Sequence, residues 1–256
     1  MDGPAGGYRE AAVGGTRLVA RDADFDALRQ TVAAETLYAW AGRQPGARPL
    51  HGRGVAWATR LTSGTEVVVR HSRHGGLLAW LTGDLFLAPT RAPVELAAAT
   101  RLATAGVPTP AVVAFAVYGV TGPLCRADVL TAHVDGTDFP SAWAAARGPA
   151  ARNAIVDALA ALFRRMQAAG AWHEDLNVKN VLISAEAGAP VAWLLDVDRV
   201  VFRTPGDHET GIRNARRFAR STAKWRARHG LDVSDANWAR LLEAAGIAAT
   251  AAGPIR

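Results

Sequence analysis

Residues 173–180 read His-Glu-Asp-Leu-Asn-Val-Lys-Asn, and residues 191–198 read Val-Ala-Trp-Leu-Leu-Asp-Val-Asp. The first stretch sets Asp175 and Asn180 five residues apart in a short polar loop, and the apolar run Val181-Leu182-Ile183 follows at once. The second is an apolar run that ends in Asp196. Joined as a hairpin, the two runs would bring all three side chains to one edge of a small sheet. Phosphoryl transfer from ATP needs that set. Asp175 would orient and deprotonate an attacking hydroxyl, while Asn180 and Asp196 would hold Mg²⁺ through an amide and a carboxylate oxygen. The H-x-D-x-x-x-x-N pattern gains its force from the downstream strand ending in Asp at hairpin spacing. His173 suits a bracing hydrogen bond better than proton transfer. Asp198 reads equally as a second metal or substrate contact and as a turn residue. Asn177 and Lys179 lie within reach of an anionic acceptor, although Lys179 could equally be solvated.

The elements that must position this loop alternate in character along the chain. Residues 1–20 are Gly/Ala-rich and read as a mobile segment with a short extended piece at 16–19. Phe25, Leu28, Val32, Leu37 and Trp40 recur at near-helical spacing, capped by Asp22 or Asp24, and predict one helix. Strands are expected at 55–61 and 65–71, a helix at 93–105 closed by Gly106-Val107-Pro108-Thr109-Pro110, and strands at 111–118 and 124–133. Residues 134–137 read as a linker. Helices follow near 139–147 and 150–169, then the loop, a hairpin over 181–195, and helices near 211–228 and 234–245. The fold class predicted is α+β with two lobes, a β-rich lobe over 1–133 and a mainly helical lobe over 134–256.

Three upstream features fit nucleotide binding. Gly52 and Gly54 precede a strand and would let backbone amides approach phosphates. Arg70 ends an apolar strand, and no lysine precedes Lys179, so a phosphate contact from this lobe falls to a guanidinium, whose donor fork matches phosphate oxygens. Glu95, near the start of the next helix, is its natural ion-pair partner. His71, Arg73 and His74 could add contacts to phosphate or to a sugar carboxylate.

Several segments resemble the lipopolysaccharide kinase family, in the family's order. They are Gly52-Arg53-Gly54, Val69-Arg70-His71-Ser72-Arg73-His74-Gly75-Gly76-Leu77, Thr90-Arg91-Ala92-Pro93-Val94-Glu95, Gly106–Pro110, His173–Asn180, Asp196–Arg199 and Asn214–Lys224. The likeness spans roughly 50–225. It implies a protein-kinase-like fold and a phosphotransferase that uses ATP and Mg²⁺. The acceptor it implies is a hydroxyl, the 4-OH, of the 3-deoxy-D-manno-octulosonic acid (Kdo) residue on a lipid A precursor. A kinase of the same fold acting on a heptose, an aminoglycoside or choline, and a nucleotide-binding pseudokinase, are the competing readings.

Charge and composition bound the partners. The chain has 256 residues, 50% of them hydrophobic, with a net charge of +6. Residues 203–229 hold eight basic side chains against Asp207 and Glu209, so the excess is local. Arg213, Arg216, Arg217, Arg220 and Lys224 fall along one stripe of the predicted helix. Arg213, Arg217 and Arg220 are thus candidates for binding an anionic acceptor or an anionic membrane surface. Nucleic acid is not expected, because no recognised binding motif interleaves aromatics with these charges. The lone Cys125 and the absence of a signal-like start point to the cytoplasm, and the resemblance implies peripheral association at the cytoplasmic face of the inner membrane.

Overall fold

Alternating apolar side chains between Tyr8 and Ala132 build one antiparallel sheet. The computed structural model describes residues 6–51, 54–72, 85–87, 90–186 and 188–255. Among the described residues, eight strands pair in this sheet: β1 (Tyr8–Val13), β2 (Thr16–Arg21), β3 (Arg48–His51), β4 (Val55–Arg60), β5 (Glu66–His71), β6 (Phe86–Leu87), β7 (Val112–Thr121) and β8 (Leu124–Ala132). Their order is β1-β2-β7-β8-β5-β4-β3, with β6 also on β8. Helices α1 (Phe25–Ala34) and α2 (Leu37–Gly42) bury Phe25, Leu28, Val32 and Leu37 against Leu18, Ala20, Val67, Val69, Val113 and Leu130 of the strands. Helix α3 (Ala92–Thr104) follows β6.

The chain divides into two compact units. Met1–Thr100 and Ala111–His133 form the first; Arg101–Pro110 and Val134–Arg256 form the second. In the second unit β9 (Gly136–Asp138), α4 (Phe139–Ala145) and α5 (Gly148–Ala168) lead to β10 (Ala171–His173). A hairpin of β11 (Val181–Glu186) and β12 (Ala189–Leu194) comes next, then β13 (Val200–Phe202), α6 (His208–His229), α7 (Asp235–Ala245) and α8 (Ala249–Ala252). The strands form a β12-β11-β9 sheet and a β10-β13 ladder. Helix α5 is the core of this unit, burying Ile155, Val156, Leu159, Leu162, Phe163 and Met166. Phe218 of α6 meets Phe139 of α4 and Phe163 of α5, each with ring centroids 5.6 Å apart.

Four sequence expectations need correction. The Gly/Ala-rich start forms the β1–β2 hairpin, registered from Tyr8 opposite Arg21 to Val13 opposite Thr16. Its turn is Gly14-Gly15, both at positive φ (52° and 80°), the backbone that two-residue hairpin loops require. Composition alone had concealed it. The single helix expected from Phe25 to Trp40 is two helices, because Glu35 is extended and Thr36 caps α2 by accepting from the Ala39 N–H at 3.2 Å. The linker expected at 134–137 is partly strand. Gly136 and Thr137 pair with Ser184 and Ile183 of β11, and a Cβ on Gly136 would stand 2.6 Å from the Ile183 carbonyl oxygen. Helix α6 also starts earlier than 211, because Asp207 caps it by accepting from the Glu209 N–H.

The break before α2 serves a buried polar cluster. Asp128 on β8 is fully buried. Its Oδ2 accepts from the Tyr38 N–H at 2.9 Å and from the Tyr118 hydroxyl at 3.0 Å, and its Oδ1 meets His71 Nδ1 at 2.6 Å. The Tyr118 oxygen in turn accepts from the Leu37 N–H at 2.8 Å. A buried carboxylate is tolerated only when so supplied with donors. Burial first, and then the Asp128 charge, push the ionisation of the Tyr118 hydroxyl well above its usual range.

Tyr118→Phe should therefore cost about 1–3 kcal/mol of stability, because it strands the buried Leu37 N–H and takes a donor from Asp128. Since folding raises the Tyr118 pKa, its contribution is full below about pH 10 and is lost as pH rises further. Urea midpoints from pH 8 to 11 should fall more steeply for wild type than for the variant. Equal midpoints with parallel pH curves would show that the cluster contributes nothing.

Candidate active site in the second unit

The loop from His173 to Asn180 is held by backbone pairing at both ends. Gly170, at φ 65°, passes so close to β13 that a Cβ would lie 2.4 Å from the Arg203 carbonyl oxygen. From there β10 runs antiparallel to β13, with His173 opposite Val200. At the other end Val181 faces Leu194, and the Leu195 N–H donates to the Asn180 carbonyl at 2.9 Å. That register sets Asn180 across from Leu195, one residue before Asp196. The expected hairpin juxtaposition is present.

Within the loop, His173 is a brace. The ring is fully buried; Nδ1 accepts from the Asp175 N–H at 3.1 Å, while Nε2 lies 3.1 Å from the Leu195 carbonyl and donates to it. Those two partners require a neutral ring with its proton on Nε2. Burial agrees, holding the imidazole below its ordinary pKa despite the Leu195 carbonyl and the nearby Asp196 and Asp175 charges. The Asp175 carbonyl accepts from the side-chain amides of both Asn177 and Asn180 at 3.0 Å. Asn180 is buried, and with its Nδ2 committed to Asp175, no described donor bonds its Oδ1. Asp196 is the one non-glycine residue at positive φ (55°) among the described residues. That backbone is uncommon even for aspartate and persists where the surroundings enforce it. Asn180 Oδ1 and the Asp196 carboxylate are hard oxygen donors of the kind Mg²⁺ prefers, so the residues present fit that ion.

Two further supports were not legible in the sequence. The stretch Gly106–Pro110, read as a helix stop, also orients the end of β12. The Pro108 carbonyl accepts from the Leu194 N–H at 2.8 Å, and the Thr109 hydroxyl donates to the Leu194 carbonyl at 2.9 Å. Lys179 is not simply solvated. It donates to Asp138 Oδ2 at 2.7 Å, and Asp138 also caps α4 by accepting from the Ser141 N–H. Burial works against the Asp138 carboxylate, yet Lys179 and Ser141 prevail and hold its pKa below the usual carboxylate range.

Helix α6 divides its basic stripe between the loop and the exposed surface. Asn214 and Ser221, both buried, and Arg217 all face the loop. Asn214 Oδ1 accepts from the His173 N–H at 3.0 Å and its Nδ2 donates to the Ala171 carbonyl at 2.8 Å. Ser221 Oγ accepts from the Val178 N–H at 3.1 Å. Arg217 donates through Nη2 to Asp175 Oδ1. Arg213 pairs with Glu209 at 2.9 Å and stands 5.4 Å from the Trp172 ring centre. Arg220 and Lys224 are exposed. The i, i+3, i+4 spacing was read correctly, but a helix turned inward by Phe218 carries part of its charge to the loop.

In the first unit Arg70 Nη2 donates to Glu95 Oε1, with Glu95 largely buried and Arg70 about one-third exposed (10% and 35%). The expected ion pair is therefore formed. Gly54 directly precedes β4, where a Cβ would meet open space, so no crowding among the described residues requires glycine there. Gly52, Arg73 and His74 lie outside the described residues.

Comparison with known proteins follows the same lines. The profile of the lipopolysaccharide kinase (Kdo/WaaP) family matches residues 39–244. A 3-deoxy-D-manno-octulosonic acid kinase of Stenotrophomonas maltophilia (strain K279a) is 32% identical over 204 residues, 77% of this chain and 78% of that protein. One from Xanthomonas euvesicatoria pv. vesicatoria (strain 85-10) is 31% identical over 226 residues, 85% of this chain and 86% of that protein. A solved structure, WaaP in complex with acyl carrier protein, matches with a TM-score of 0.54 at 18% identity over 90% of this chain and 88% of that one, and so shares the fold. On the extent of the profile match and of these relatives, the chain belongs to the lipopolysaccharide kinase (Kdo/WaaP) family.

Proposed function

We propose that this kinase transfers the γ-phosphoryl group of ATP to a hydroxyl, the 4-OH, of the Kdo residue on a lipid A precursor, in lipopolysaccharide core synthesis. The observation that carries the reading is the adjacency of Asn180 and Asp196 across the β11–β12 hairpin, with the Asp175 loop bonded to Asn180. The choice of Kdo rests on family membership and on the names of the relatives.

Asp175 is the base in this reading. Its carboxylate takes the proton of the attacking hydroxyl, while the bonds from His173, Asn177 and Asn180 keep its backbone in place. Asn180 and Asp196 would hold Mg²⁺, which when bound neutralises charge on the phosphate oxygens. Arg70, steadied by Glu95, contacts the phosphates of ATP, and Gly52 and Gly54 belong to the loop that approaches them. The rest of the first unit presents these groups, so it is the nucleotide-binding lobe and the second unit is the acceptor lobe. Exposed Arg220 and Lys224 suit an anionic membrane surface, which would place the kinase at the cytoplasmic face of the inner membrane. No helix among the described residues is long and apolar enough to cross a membrane.

Purified protein with labelled ATP and a Kdo-bearing lipid A precursor tests the activity, with heptose, aminoglycoside and choline acceptors beside it. Asp175→Asn should lower turnover about 10²–10⁴-fold, the usual worth of a positioned general base. Asp196→Ala should remove Mg²⁺-dependent turnover, and Asn180→Ala should cost less, because a neutral ligand contributes less than an anion. A larger loss at Asn180 than at Asp196 would contradict these roles.

Arg70→Lys keeps the charge but loses the donor fork, so the KM for ATP should rise while activity survives; Arg70→Ala should be far worse. An unchanged KM for ATP in the alanine variant would move the phosphate contact elsewhere, with Arg73 the first candidate.

Replacing Arg220 and Lys224 with Gln should weaken binding to anionic vesicles by about 2 kcal/mol, at about 1 kcal/mol per basic residue. The KM for ATP should stay near wild type. Co-sedimentation at low and moderate salt reads the effect, and identical binding by wild type and variant would remove this helix from the membrane contact.

A further inference from the structure

We propose that Arg217 is the positioning residue for Asp175, holding the carboxylate from outside the loop; the inference rests on reading Asp175 as the base. Arg217 Nη2 donates to Asp175 Oδ1, and its Nε reaches the Glu174 carbonyl at 3.4 Å. One planar guanidinium thus grips both a side chain and the backbone beside it. A lysine could supply the charge but not the second arm of this grip. The pair is only partly solvated, with side chains 29% and 36% exposed, so it is screened less than a surface ion pair.

The surroundings support a positioning role. Asn214, Arg217 and Ser221 stand at i, i+3 and i+7 on α6, one face of the helix. They bond to the loop in chain order, at Ala171 and His173, then Glu174 and Asp175, then Val178. Arg217 is the charged member of that row. The loop's own cation, Lys179, points to Asp138 and stands 5.6 Å from the Trp225 ring centre. Phe218, next to Arg217, is buried between Phe139 and Phe163, which fixes the helix rotation that aims Arg217 at the loop. Small losses of alignment at a reacting group are costly in rate, so the group that holds the Asp175 carboxylate in place bears on turnover.

The test is a set of kinetic measurements on the full chain with ATP and the Kdo-bearing acceptor. The variants are Arg217→Ala, Arg217→Lys, Asp175→Asn, and Asp175→Asn combined with Arg217→Ala. Arg217→Ala should lower kcat about 10–100-fold, with the KM for ATP within about twofold of wild type, and Arg217→Lys should recover part of the loss. Millimolar methylguanidinium should restore turnover to Arg217→Ala but not to Asp175→Asn, a response that a purely structural role would not produce. The double variant should be no slower than Asp175→Asn alone, because the two residues act as one unit. Wild-type kcat in Arg217→Ala, or a further loss in the double variant, overturns the proposal. If Arg217→Ala does not fold, as judged by its thermal transition, an unchanged kcat in Arg217→Lys with unaltered acceptor KM overturns it instead. Wild-type turnover by Asp175→Asn would refute Asp175 as the base, a failure separate from that of Arg217.

Discussion

A buried loop must find partners for its own N–H and C=O groups, because an unpaired backbone group away from water costs about as much as a lost hydrogen bond. The segment His173–Asn180 meets that demand from several directions. The His173 N–H goes to Asn214, that of Glu174 to the Arg199 carbonyl, and that of Asp175 to the His173 ring. The Val178 N–H goes to Ser221, and those of Lys179 and Asn180 return to Asn177. Irregular backbone supplied in this way has little freedom left. It can present a carboxylate and an amide in one geometry with only the end of β10 and one 3-10 turn, Val178–Asn180, as regular structure.

The same constraint explains why α6 carries mixed chemistry. Its row of Asn214, Arg217 and Ser221 satisfies the loop, its Phe218 and Ala215 enter the core, and its Arg220 and Lys224 face water. Loss of Asn214 would strand two buried backbone groups, at about 1–3 kcal/mol each. The neutral, doubly engaged His173 belongs to the same system. Its ring cannot carry a proton on Nδ1 without losing the Asp175 N–H, so its two bonds brace the loop.

The first unit solves a parallel problem with a charge. Asp128, fully buried on β8, gathers Tyr38, Tyr118 and His71, and His71 is the neighbour of Arg70 on β5. The pair Arg70–Glu95 is thus built on a strand whose next residue is locked to a buried carboxylate. A guanidinium in this position needs such stiffness, because its value over an ammonium is directional.

How much of this could be read from residue order depends on the range of the interaction. Periodicity, the Asp175–Asn180 spacing and the apolar run ending in Asp196 are local, so the hairpin, the helices and the acid and amide groups at its edge were legible. The pairing of Arg70 with Glu95 was inferred from chemistry and observed. Composition misled where a Gly14-Gly15 turn made a hairpin of an apparently loose start, and where Thr36 interrupted a helical pattern. Gly136 passed as linker because its close approach to Ile183 lies 47 positions away in the chain. The basic stripe of α6 was visible as a stripe, but not which members face the loop, since that depends on helix rotation and on the packing of Phe218 against Phe139 and Phe163. Residue order was enough to name the carboxylate, amide and guanidinium groups of the candidate site and the local elements that bear them. Tertiary structure alone decided that Arg217 meets Asp175, that Lys179 meets Asp138 and that Pro108–Thr109 steadies Leu194, because each contact joins segments whose separation along the chain carries no local signal.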